Sequence, residues 1–280
     1  MKLLRVGPKG AEKPALLDAS GVARDLSGVV VDIAGETLSD TGLDRLRALD
    51  PSSLPALPAD ARIGACVTGI GKVIGIGLNF SDHAEEMGMD LPAEPITFMK
   101  AVTSVCGPDD AVEIPRGSVA TDWEVELGVV IGTRAKYVTE AEALSHVAGY
   151  CTLNDVSERD FQMRRSGQWV KGKSHDTFCP IGPWLVTRDE VPDPQNLKMR
   201  LSVNGKVMQD GSTATMYFGV STIISHLSHF MTLEPGDVIA TGTPPGVGSG
   251  KKPPVYLKAG DVMELEVEGL GHQRQTCVPA

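Results

Sequence analysis

The sequence predicts a β-rich α+β fold, and three observations carry that expectation. Glycine and proline are frequent (31 and 19 of 280 residues) while aromatics make up only 5%, so turns must be many and elements short. Apolar residues recur with period two over many short stretches, as in half-buried strands. Only a few segments carry the 3.6-residue period of an amphipathic helix. With 41% hydrophobic and 22% charged residues, the composition is that of an ordinary soluble globular chain with material for a sizeable core.

Residues 1–65 read as a small N-terminal domain. LLRV, PALLD and GVARDLS are short strands separated by turns, and LSDTGLDRLRALD is an amphipathic helix with Ser39 or Asp40 as its cap. The Pro- and Ser-rich stretch PSSLPALPAD follows as a linker, which puts the boundary near residue 65 and leaves 66–280 as a larger domain. There KVIGIGLN is a strand running into a turn, and FSDHAEEM a short helix. PITFMKAV, DWEVELGVVIG and HVAGYCTLND are strands, and ERDFQMRRS has helical character. CPIGPWLVT, KMRLSVNG, DVIATGTP and DVMELEVEG are further strands, and STIISHLSHFMT is a helix with Ile223, Leu227 and Phe230 on one side. NGKV and EPGD mark turns between strands.

Charge and cysteine usage exclude several function classes. A net charge of −10 disfavours nucleic acid or an anionic membrane as partner, since both require a basic footprint, but leaves room for a small acid held by a local cationic cluster. The five cysteines, Cys66, Cys106, Cys151, Cys179 and Cys277, have no zinc-type spacing and are expected as reduced, buried thiols of a cytoplasmic protein. Neither a signal-like apolar run at the N-terminus nor a membrane-length apolar stretch is present in the sequence.

The most informative segment is TDWEVELGVVIG. Side chains alternate along a strand, so Asp122, Glu124 and Glu126 share one face while Trp123, Val125, Leu127 and Val129 share the other. Carboxylates that close repel one another, and burial aggravates the conflict; a hard dication such as Mg²⁺, Mn²⁺ or Ca²⁺ resolves it with oxygen ligands alone. The alternative is a solvated polar face on an edge strand. Asp155, where the apolar strand HVAGYCTLND ends, is a candidate third ligand or, alternatively, the N-cap of the VSERDFQM segment.

His83 falls on the short helix after KVIGIGLN, with Glu86 three residues on and able to reach it on the same face. A carboxylate that orients an imidazole makes it a better general base; an incidental surface pair is the competing reading. Gly75, Gly77 and Asn79 suggest a close approach of backbone to some other group. Residues 167–174, GQWVKGKS, match the P-loop pattern, but a charged helical segment precedes them and Pro180 and Pro183 follow. That context lacks the strand and helix a phosphate loop requires, so no nucleotide cofactor is expected. What remains is Lys173 in a Gly-rich, strand-like loop, either a surface lysine or a group that holds a carboxylate or an enolate. TGTPPGVG (241–248) is either a plain turn or a loop whose N–H groups and Thr243 cradle an anion.

In their order and spacing these segments resemble the fumarylacetoacetate hydrolase family. The resemblance rests on GLNFSDHAEE, FMKAVTSV, DWEVELGVVIG, LNDVSERDFQ, KGKSHDTFCPIGPW, VNGKVMQDG and LEPGDVIATGTPPGVG, which span most of residues 72–248. It implies a mixed β-sandwich roll, a homodimer, and Glu124, Glu126 and Asp155 as ligands of Mg²⁺ or Mn²⁺. It further implies Lys173 as the active-site lysine, and His83 with Glu86 as a water-activating dyad on a segment that closes over substrate. Gln162, Thr243 and Lys100 would be substrate contacts, while Asp122 is not read as a ligand. The implied reaction is hydrolysis of a C–C bond in a β-diketo (2,4-dioxo) acid. Lyases, hydratases, decarboxylases and isomerases on related 2-oxo acids are other outcomes known on this fold. The N-terminal stretch and GQWVKGKSHDTF resemble a bacterial subgroup of sugar-acid catabolism that includes diketo-deoxy sugar-acid hydrolases and proteins labelled ureidoglycolate lyases.

Overall fold

The computed structural model describes residues 1–280. The N-terminal strands β1 (Lys2–Val6), β2 (Lys13–Leu17) and β3 (Ala23–Asp25) form an antiparallel meander. Helix α1 (Asp40–Arg47) follows, and Ser39 caps it by accepting a hydrogen bond from Gly42 N–H at 3.1 Å. Next come β4 (Val73–Gly77), α2 (Ser81–Met87), β5 (Ile96–Lys100), β6 (Val105–Cys106), β7 (Val112–Ile114), β8 (Thr121–Asp122) and β9 (Val125–Ile131). They are succeeded by α3 (Glu140–Ala143), β10 (Val147–Asn154), β11 (Ser157–Glu158), α4 (Val170–Lys173) and β12 (Cys179–Thr187). The C-terminal part holds β13 (Lys198–Val203), β14 (Lys206–Ser212), α5 (Val220–Phe230), β15 (Val238–Ala240), β16 (Val262–Val267) and β17 (Gly271–Pro279).

The strands assemble into one large mixed sheet, ordered β3-β2-β1-β12-β10-β9-β15-β4-β5 with β6 beside β12, and a five-stranded sheet ordered β14-β13-β16-β17-β7. The fold is therefore α+β and strand-rich, as the composition predicts. β1 pairs with β12, Leu3 opposite Leu185, so the N-terminal strands continue the large sheet.

Two apolar layers flank that sheet. On one side Trp123, Val125, Leu127, Val129 and Ile131 pack with Leu201, Met263 and Leu265 of the second sheet and with Ile223, Ile224 and Leu227 of α5. On the other, Val130, Cys151 and Leu153 pack with Leu26, Ile33, Leu38, Leu43 and Leu46 of the N-terminal unit. Strand β9 is thus interior and buried on both faces, which overturns the exposed-edge alternative for its acidic end. All five cysteines are free and buried. Phe230 departs from the helix pattern: it is the last residue of α5, lies past the packed layer, is 69% exposed, and rests on the His226 ring at 4.9 Å. No helix is long and apolar enough to cross a membrane.

Candidate active site

The antiparallel pairing of β9 with β10 brings the acidic residues together. Val125 lies opposite Asn154 and Glu126 opposite Leu153, and Asp155 N–H donates to the Glu124 carbonyl at 2.9 Å. The carboxylates of Glu124, Glu126 and Asp155, all buried, converge with ligand oxygens within 4.8 Å of one another. Asp155 is not a helix cap: the helical turn that follows begins at Asp160, and it is Glu158 that accepts from its Phe161 N–H, at 2.7 Å.

Three cations surround the three acids. Lys173 Nζ bridges Glu124 Oε2 at 2.7 Å and Asp155 Oδ2 at 2.6 Å. Lys100 Nζ donates to Asp155 Oδ1 at 2.5 Å and to the Val156 carbonyl. Arg159 reaches Glu124 at 2.7 Å, Asp122 at 2.8 Å and Gln162 Oε1 at 3.1 Å. Burial pushes the Glu124 carboxyl up, but the charges of Lys173 and Arg159 outweigh it and hold the group down at about 2. Glu126 has no cation in contact. Its hydrogen bond comes from Gly242 N–H at 2.8 Å, and burial together with the Asp155 and Glu124 charges pushes its carboxyl well above the usual range. A buried, convergent, all-oxygen set with one uncompensated carboxylate fits a hard dication. Glu124, Glu126 and Asp155 are the residues that would hold it.

Lys173 is not in a strand-like loop. It ends the one-turn helix α4, which packs so closely that a Cβ on Gly172 would lie 2.4 Å from the Glu158 carbonyl and 2.6 Å from Gln162. The glycine of the apparent P-loop pattern therefore serves helix packing, and the lysine beside it is 2% exposed. Lys100, also 2% exposed, is not among the residues that line the pocket; its ammonium group is paired with Asp155.

The loop after β15 organises the carboxylates from above. Gly242 N–H donates to Glu126, Gly246 N–H to both Glu86 oxygens at 2.9 and 3.1 Å, and Gly248 and Ser249 N–H to Asp122. The anions cradled by this loop are the protein's own side chains. Thr243 donates to the Val125 carbonyl at 2.9 Å and accepts from Gln209 at 2.8 Å, while Gln209 accepts from Val125 N–H. Side chains thus grip both backbone polar groups of Val125, the one residue between Glu124 and Glu126.

On α2, His83 Nδ1 lies 3.0 Å from Glu86 Oε2. Burial pushes the Glu86 carboxyl up, but its bonds to His83 and Gly246 N–H win and keep it below the usual range. An ionised Glu86 takes the Nδ1 proton as its hydrogen bond, which leaves Nε2 as the basic nitrogen. His83, Glu124, Glu126, Gln162, Lys173 and Thr243 line a single pocket.

Arg159, Gln209, Phe98 and Trp169 also build this site and escape a reading of the sequence. Only Arg159 left a signal, its i,i+3 spacing to Gln162 on the segment after Asp155.

Residues 72–278 match the fumarylacetoacetate (FAA) hydrolase C-terminal family. A protein from Burkholderia multivorans, named no more specifically than as a hydrolase, is 63% identical over 276 residues, 98% of each chain. Two solved structures superpose on the whole chain. A fumarylacetoacetate hydrolase from Exiguobacterium antarcticum is 38% identical, covers 100% of both chains, and has a TM-score of 0.88. A 5-carboxymethyl-2-hydroxymuconate delta-isomerase from Mycobacterium smegmatis is 34% identical, covers 100% of this chain and 99% of its own, and has a TM-score of 0.79. By sequence over most of its length and by fold over all of it, this chain belongs to the fumarylacetoacetate hydrolase family.

Proposed function

We propose that the protein is a divalent-metal-dependent hydrolase that cleaves a C–C bond in a small 2,4-dioxo acid. The observation that carries this reading is the His83–Glu86 pair, clamped by Gly246 N–H and facing the same pocket as the carboxylate cluster.

Glu124, Glu126 and Asp155 would hold Mg²⁺ or Mn²⁺, which would supply Lewis acidity to a bound 2-oxo acid. The chain's own groups carry the remaining work. Glu86 fixes the His83 tautomer, and Nε2 removes a proton from water. The resulting hydroxide equivalent adds to the distal carbonyl carbon, and the C3–C4 bond breaks toward C3. One carboxylic acid leaves and pyruvate enolate forms. Lys173 and Arg159 stabilise the developing negative charge. The proton taken by His83 returns to the enolate carbon, so one water is consumed and the products are an acid and a 2-oxo acid.

The likeness to the muconate isomerase favours a second reading, in which the same base shuttles a proton within a 2-hydroxydienoate and no water is consumed. Turnover of acylpyruvates with Mg²⁺ or Mn²⁺ in ¹⁸O-labelled water separates the two. The hydrolase reading expects EDTA-sensitive cleavage with one label in the released acid. Rearrangement without label or cleavage would overturn it.

A further inference from the structure

Above the carboxylates the pocket changes character, and β4 builds the change. Gly75 and Gly77 lie on the same side of that strand. A Cβ on Gly75 would stand 2.1 Å from the Phe98 ring, and one on Gly77 2.5 Å from the Trp169 ring. The backbone approach that the glycines suggest is therefore the seating of two aromatic rings. The rings meet with centroids 5.4 Å apart at 53°. Lys173 Nζ sits 4.9 Å from the Phe98 centroid, so the shelf starts at the lysine and runs outward to Trp169. Met87, Met89 and Met163 complete the rim at 37, 48 and 55% exposure. Leu78 joins them from a left-handed backbone at φ 50°, a conformation that costs energy in a residue with a side chain.

Several polar atoms of the pocket are already engaged, and those that stay open, His83 Nε2 and Gln162 Nε2, are not part of the aromatic and methionine rim. Thr243 is bonded to Val125 and Gln209, Gln162 Oε1 to Arg159, and His83 to Glu86. A chain of hydroxyls passing this rim would lose its water partners and meet aromatic faces and thioethers. An apolar group would gain contact area, and flexible methionines mould to tails of differing shape.

We propose that this aromatic and methionine rim is a subsite for an alkyl or aryl tail on the acyl end of the substrate, in preference to the polyhydroxylated chain of a sugar acid. The proposal rests on the 2-oxo acid reading above, which sets the end that enters first.

The test is calorimetric titration of the Mn²⁺-loaded full-length protein with pyruvate, 4-phenyl-2-oxobutanoate and a 3-deoxy-2-oxo sugar acid. The phenyl compound is expected to bind at least about tenfold tighter than pyruvate, the scale of burying one aromatic group. The sugar acid is expected to bind no tighter than pyruvate. Trp169→Ala should remove most of the gain, and Met163→Ser, at an exposed position with little bearing on folding, part of it. A sugar acid that binds as tightly as the phenyl compound, or a phenyl compound no tighter than pyruvate, would overturn the subsite. Acylpyruvate cleavage is measured alongside. Tail preference without cleavage supports the subsite and overturns the hydrolase reading, cleavage without tail preference does the reverse, and no binding by any ligand overturns both.

Discussion

Two clusters of charge sit about the large sheet, and they are built on opposite principles. Near the N-terminal unit, Arg5 pairs with Asp32 at 2.8 Å and with Glu12 at 3.5 Å, and Arg62 pairs with Glu12 at 2.9 Å and Asp110 at 2.6 Å. Every carboxylate there faces a guanidinium. Burial is the largest influence on Glu12 and Asp110 and pushes both up, yet the Arg62 hydrogen bonds, backbone N–H donors and nearby cationic charges together outweigh it and both sit below their usual range. In the pocket, Asp122, Glu124 and Asp155 are likewise matched by Arg159, Lys173 and Lys100, but Glu126 is left over and shifts the other way. The lesson is that buried charge alone does not mark a site. A compensated cluster is a staple, whereas one with a surplus carboxylate is unfinished until a proton or a cation completes it.

Removing the surplus should have the largest effect. Glu126→Gln is expected to weaken Mn²⁺ binding by about 100-fold or more and to lower kcat/KM by about 10³-fold. The melting temperature of the metal-free protein should hold or rise, because a neutral amide replaces a buried carboxyl that can be accommodated there only at the cost of taking up a proton. Calorimetric titration and thermal melts read both, and a melting temperature that drops as though a staple had been cut would erase the contrast drawn above. Next, His83→Ala is expected to lower kcat by about 10²- to 10⁴-fold with Mn²⁺ affinity changed only a few-fold. Affinity that falls in parallel with kcat would make His83 part of the cation site.

Lys100→Met sharpens the comparison from behind the carboxylate cluster. Loss of the buried partner of Asp155 should cost about 3 kcal/mol of stability with KM for a 2-oxo acid changed little. A raised KM at unchanged stability would instead favour the substrate-contact role that the resemblance implied. The smallest effect belongs to the staple. Arg62→Met should cost about 1 kcal/mol at neutral pH, since its partners are partly exposed, with activity retained. Glu12 and Asp110 are depressed from ordinary values of 4.5 and 3.8. The stability they confer is therefore complete above those values and is lost as pH falls through their lower folded values. Urea melts over acid pH should show that loss in the wild type and a flatter acid limb in Arg62→Met.

Several strands escaped the pattern for one reason: their inward residues are polar. In β17 the buried positions are Gln273, Gln275 and Cys277, and the glutamine amides donate to the Thr152, Gly182 and Pro108 carbonyls. No apolar alternation marks such a strand. In β14 the gripping residue Gln209 is the only fully buried position. Arg159 was hidden differently, since nothing local says that its guanidinium turns to Asp122 and Glu124.

By itself the sequence determined what is short-ranged. The alternation of Glu124 and Glu126 with Val125 and Leu127 where β9 begins, the i,i+3 reach of His83 to Glu86, and the Ser39 cap follow from the geometry of one strand or one helical turn; the break at Trp123 that puts Asp122 on the separate strand β8 does not. Only the tertiary structure decided the rest. Lys100 meets Asp155 across 55 residues, Arg159 meets Glu124 across 35, and Glu86 meets Gly246 across 160. These contacts depend on strand order and register, which many distant apolar contacts choose together, so no stretch of chain announces them.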